Sequence, residues 1–150
     1  MNTKSSRGPS DSQLTKALAE LMPASLDDVI RANRDVASLA LTTEQELLKL
    51  HGTIPAQTPK GYLTNWAFIA MQLKRRSEAV TWLTGYNPME RSSWMTSRVV
   101  AIEGTSVLTH SGSVYVLKGE SSTKVDLPYV CATFHRWGIG KALGVPEFFF

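Results

Sequence analysis

The sequence predicts an α+β fold: N-terminal helices packed on a three-stranded antiparallel meander, followed by a C-terminal helix. Three observations lead there. Apolar residues recur at three- and four-residue spacing through the first half of the chain. Beyond Pro88 the period changes, and short segments rich in Val, Thr, Tyr and Ile follow. Two turn-forming pairs, Glu103-Gly104 and Ser111-Gly112, punctuate those segments.

Each element has its own warrant. Residues 1–9 are polar with no apolar anchor and read as a disordered N-terminus. Residues 10–150 read as one domain, with a helical part over 10–86 and the meander and last helix over 93–150. Ser10 and Gln13 stand at capping-box spacing ahead of Leu14, Leu18, Leu21 and Met22, and Pro23 ends that helix. Ser25 restarts the pattern, with Asp27 and Asp28 in the first turn and Leu26, Val29, Ile30, Val36, Leu39 and Ala40 along a stripe. Thr43 and Glu46 form another capping box, opening a short helix that Gly52 closes. Residues 52–61, with two prolines and two glycines, read as a linker. The strongest helical rhythm runs over 62–86 through Leu63, Trp66, Ala67, Ala70, Leu73, Ser77 and Val80, stopped by Gly85 and Pro88. Strands follow over 94–102, 105–110 and 113–118, one face of them packed on the helices. Asp126-Leu127-Pro128 caps the last helix, which carries Val130, Cys131, Phe134 and Trp137 and stops at Gly138.

Composition bounds the function. A chain of 150 residues with 43% hydrophobic and 19% charged residues forms a core without a disulfide or metal staple. One cysteine forbids an intramolecular disulfide and suits a reducing compartment. The net charge of +3 excludes an acidic DNA mimic and permits nucleic-acid binding without requiring it. No apolar signal core follows the polar start, and no run approaches the ~20 apolar residues of a membrane span. A cytoplasmic protein with no membrane partner is expected.

Few residues suggest chemistry. Cys131 and His135 are four apart on an expected helix, the spacing of a nucleophile–base pair or half a zinc site; the simpler reading is a buried thiol beside a half-exposed imidazole. Residues 138–144, GIGKALG, lack the dinucleotide-fingerprint spacing and follow a helix rather than a strand, so they read as a helix end and turns. Lys74, Arg75 and Arg76 form the densest charge cluster, read as a solvated helix face that could contact phosphates or an acidic partner. Arg31, Arg34, Arg98, Lys118 and Lys124 could extend that basic surface, and Trp94 and Tyr115 are too sparse for a base-stacking platform. Phe148, Phe149 and Phe150 end the chain in an apolar patch that docks on this protein's own core or on a partner. Paired-carboxylate, serine-elbow, HExxH and kinase motifs are absent, and no cofactor or metal is expected.

Thr96–Leu117 (TSRVVAIEGTSVLTHSGSVYVL) with Cys131–Phe149 (CATFHRWGIGKALGVPEFF) is similar to the C-terminal halves of small accessory proteins of proteobacterial plasmids and phages. The resemblance covers about a third of the chain and transfers no site residues. It implies a mobile-element protein, anti-CRISPR inhibitors of Cas complexes being a prominent class. The expected function is therefore a non-enzymatic protein-binding module, contacting a bacterial host complex through Lys74, Arg75, Arg76, Arg98 and Phe148–Phe150. A nucleic-acid-binding accessory protein is the alternative, and an enzyme using Cys131 and His135 stands third.

Overall fold

A computed structural model of the chain describes residues 25–30, 33, 35, 37–75 and 79–139. In order, these form α1 (Leu26–Val29), β1 (Ala37–Leu41), α2 (Glu44–Leu48), β2 (Gly61–Leu73), β3 (Ala79–Asn87), β4 (Ser92–Glu103), β5 (Ser106–Thr109), β6 (Val114–Leu117) and α3 (Leu127–Arg136). The strands pair in sequence order, and β2 also pairs with β6. Strands β2 to β6 thus close a five-stranded barrel, with β1 added outside on β2.

Strand number dictates the seam. Every sequential pair, β2–β3 through β5–β6, is antiparallel. Direction alternates along the chain, so the first and fifth barrel strands run the same way. Their closing pair is accordingly parallel, with Gly61, Tyr62 and Leu63 opposite Tyr115, Val116 and Leu117.

The architecture corrects the expected fold class. The stretch read as the strongest helix, 62–86, is the β2–β3 hairpin, and Ala37–Leu41 is a strand where a helical stripe was expected. The three-stranded meander exists, but as β4–β6 of a larger sheet. The cause is burial on both sides. Phe68 and Leu83 point into the barrel with Leu63, Val99, Ile102, Val107, Tyr115 and Leu117. Their neighbours Ile69 and Trp82 point outward, into a second core with Leu39, Met71, Met95, Val130, Cys131 and Phe134. Residues 67–71 and 81–84 are buried without a break. A strand covered on both faces loses its two-residue alternation, and what remains mimics a helical rhythm. The tail expected to be disordered over 1–9 and the helix expected over 10–22 fall outside the described residues.

Other local readings match. Thr43 and Glu46 form the capping box, the Thr43 amide donating to Glu46 Oε1 at 2.9 Å and the Glu46 amide to Thr43 Oγ1 at 3.2 Å. Asp126 caps α3 by accepting from the Tyr129 amide at 3.1 Å, and its other oxygen accepts from Ser93 of β4 at 2.6 Å. That pair of bonds ties the start of α3 to the sheet. The expected linker is a strap along the barrel wall. Its Gly52 amide donates to the Ile102 carbonyl, its Ile54 amide to Glu103, its Gln57 side chain to the Gly112 carbonyl and its Lys60 amide to the Val114 carbonyl.

One bulge bends β2 between its two neighbours. Asn65 adopts φ 47° and the pairing with β3 shifts between Thr64 and Ala67. The displaced backbone presses on Gly85, where an added Cβ would lie 2.9 Å from the Thr64 carbonyl oxygen and 3.1 Å from Trp66 Cα. Both are backbone atoms and cannot swing aside. Gly85→Ala should therefore cost roughly 1–3 kcal/mol, read as a lowered urea midpoint with an unchanged slope. Phe134 is fully buried between the sheet and α3. Phe134→Ala should cost about 3–5 kcal/mol by the same measurement.

Candidate functional site

The residues singled out from the sequence do not form one cluster. Lys74 and Arg75 are exposed in the turn after β2, at a hairpin tip rather than on a helix face. Arg76, Arg31, Arg34 and Phe148–Phe150 lie outside the described residues, as does most of 138–144. Arg98 stands on the outer face of β4, directly opposite Trp82 of β3. Cys131 and His135 share α3, but the thiol is fully buried in the outer core while the imidazole is exposed. A nucleophile needs access to substrate, and a sealed thiol has none. Among the described residues no group of three or more His, Cys, Asp or Glu could hold a metal ion. No helix there is long and apolar enough to cross a membrane.

A small cleft of about 110 Å³ opens between the β2 bulge and the start of α3, lined by Asn65, Thr84, Tyr86, Ser93, Lys124 and Asp126 among others. It falls well below the roughly 300–1,000 Å³ of an ordinary ligand pocket. Two of its polar groups, Ser93 and Asp126, are already spent on each other.

The surface of greater interest surrounds Trp82. Pairing register aligns Leu41, Ile69, Trp82 and Arg98 across four strands on the face that α3 covers. Helix α3 lays Phe134 on Trp82, with ring centroids 5.1 Å apart, and the helix ends in Trp137, 6.0 Å from Trp82. Ile139, just beyond, packs against the same core, and the described residues end there. Val80, two residues before Trp82 on the same face, remains 38% exposed. Val100 flanks the inward-facing Val99 and so points outward beside Arg98; it is 43% exposed, and Trp137 is 39% exposed. Three large apolar side chains thus meet solvent around a buried tryptophan, with an arginine at the margin.

Arg98 is held in place. Its Nη2 donates to His110 Nδ1 at 3.2 Å, and its carbonyl accepts from the His110 amide at 2.8 Å. His110 sits at the turn between β5 and β6, which four hydroxyl-bearing residues fasten to β4. Thr109 donates to the Ser113 carbonyl, so Ser111 must donate to Thr109, and Ser97 donates to Ser111 in turn. The Ser111 amide completes the loop by donating to Ser97 Oγ at 3.1 Å.

The chain matches no family model, no curated protein and no solved structure.

Sequence reasoning found Arg98 but missed its setting. The pairing of Val80 with Trp82 on one outer face needs strand periodicity, and 62–86 was read with helical periodicity. The strands expected over 105–110 and 113–118, with a reversal at Ser111-Gly112, leave out the hydroxyl relay of Ser97, Thr109 and Ser111, although the hydroxyl density of THSGS (109–113) is the one signal of it.

Thiol chemistry checks the burial of Cys131. An aromatic disulfide reagent should label it only as fast as the fold opens, with the rate rising through the urea transition. Prompt labelling of the folded protein would contradict a sealed site.

Proposed function

We propose that this chain is a non-enzymatic protein-binding module that engages its partner through the Val80–Val100–Trp137 surface with Arg98 at the rim. The observation that carries the reading is the exposure of these three apolar side chains around the buried Trp82, with Arg98 beside them. Interfaces concentrate binding in tryptophan and arginine anchors ringed by groups that exclude water. The hairpin-tip residues Lys74 and Arg75 add positive charge at the far end of β2 and favour an acidic partner. The resemblance of Thr96–Leu117 and Cys131–Phe149 to mobile-element proteins supports a partner within a bacterial defence complex, with Cas complexes the first to test.

A nucleic-acid-binding accessory protein is the second reading. Its support is the Lys118 ammonium 6.0 Å over the ring of Tyr62 on the barrel wall, a cation beside a partly exposed aromatic of the kind that stacks bases. The net charge of only +3 over 150 residues is small for a groove that tracks a phosphate backbone.

Tagged protein purified from a bacterial lysate, with and without nuclease, separates the two. The first reading expects a stoichiometric protein that survives nuclease and is lost from Trp137→Glu and Arg98→Glu variants. Arg98→Glu should shift stability by no more than about 0.5 kcal/mol, so loss of the partner would report the surface rather than the fold. Retention of the partner by both variants would displace the interface from this face. A nucleic acid recovered in place of a protein, with affinity falling steeply with salt, would establish the second reading.

A further inference from the structure

We infer that Arg98, held in position by His110, forms a receptor for an oxyanion, and that the group it takes is an aspartate or glutamate carboxylate of the bound partner, next to an apolar side chain. The inference deepens the protein-binding reading and rests on it. Three observations carry it.

The first is the state of the charge. Arginine donates and never accepts, so the 3.2 Å contact between Arg98 Nη2 and His110 Nδ1 makes that nitrogen the acceptor. The ring proton of a neutral His110 then sits on Nε2. A surface guanidinium usually finds a carboxylate. Here its side-chain partner among the described residues is an imidazole, which orients the guanidinium without neutralising it. Arg98 keeps its remaining N–H groups for a ligand from solution, while His110, whose Nε2–H lies on the far side of the ring, acts by orienting the guanidinium.

The second is rigidity. The hydroxyl relay from Ser97 through Ser111 and Thr109 to the Ser113 carbonyl runs in one direction, and each proton is already committed. These hydroxyls fix the turn that carries His110, and His110 in turn orients Arg98. Preorganised donors bind an anion without first ordering themselves.

The third is the neighbourhood. Arg98 lies opposite Trp82 in the β3–β4 pairing, and the exposed Val100 is two residues away. A ligand whose carboxylate meets Arg98 brings its adjacent groups onto an apolar surface. An acidic side chain beside an apolar one in a peptide has that pattern. A free inorganic anion lacks the apolar half.

The test uses the full chain with labelled arginine, histidine, tryptophan and valine side chains, followed by NMR. The probes are a blocked leucine–aspartate–leucine tripeptide, its leucine–asparagine–leucine counterpart, and inorganic phosphate. The inference expects saturable shifts at Arg98 and His110 with the aspartate peptide, accompanied by shifts at Trp137 and Val80. Affinity should fall by at least about tenfold with the asparagine peptide or in Arg98→Gln, the loss of one charge-assisted pair. His110→Ala should weaken binding while Arg98 still responds. Equal shifts with both peptides at Trp137 and Val80, and none at Arg98, would overturn the receptor and leave the apolar interface standing. Equal saturation by phosphate and the aspartate peptide at Arg98 alone would overturn the peptide assignment and the apolar interface with it. No response to any probe would overturn both.

Discussion

Strand β2 carries more constraint than any other element. Along one edge it pairs with β3. Along the other it serves two partners in turn, β6 at its start and β1 at its end. Over 67–71 both of its faces are buried as well, one by the barrel interior and the other by the helix-covered core. That part of the strand has no solvent side to relax toward. Its bend therefore has to come from the backbone, through the left-handed Asn65 and the close approach to Gly85. Barrel closure, the placement of α3 and the position of Trp82 all follow from where that bend occurs.

The two cores explain the exposed surface. The barrel interior is filled by its own inward side chains. The outer face of β1–β4 is apolar because α1 and α3 must pack there, and α3 is only ten residues long. A helix of that length covers about 15 Å of sheet. Tethered at Asp126 to Ser93, it reaches Trp82 and ends at Trp137. Val80 and Val100 fall beyond its reach. Among the described residues the exposed apolar surface is thus the remainder of an incomplete cover, with Arg98 beside it on a strand fastened by the hydroxyl relay.

Local chemistry was legible in the sequence and long-range burial was not. The capping box at Thr43, the cap at Asp126 and the turn at Gly104, which adopts φ 60°, depend on residues within four positions of one another. The strands of β4–β6 were visible because their turns carry glycine at the reversal. The β2–β3 hairpin was misread because its turn, around Lys74 and Arg75, carries charge instead of glycine, and because double-sided burial erased the alternation. In retrospect the aromatic and β-branched content of 62–86, with Tyr62, Trp66, Phe68, Val80, Thr81 and Trp82, favours strand over helix. For the site, Arg98 was recognised by type alone. Its neighbours came from a register that no nearest-neighbour pattern encodes.

The parallel seam between β2 and β6 also sets an order of events during synthesis. Residues 61–63 leave the ribosome more than fifty positions ahead of their partners at 115–117. The outer core waits longer still, for Val130 and Phe134. Through that interval β2 and β3 can form their hairpin, yet both of its apolar faces stand bare to water. A nascent chain in this state is adhesive on two sides at once, and its yield in the cell depends on how quickly translation delivers the last strand and the final helix.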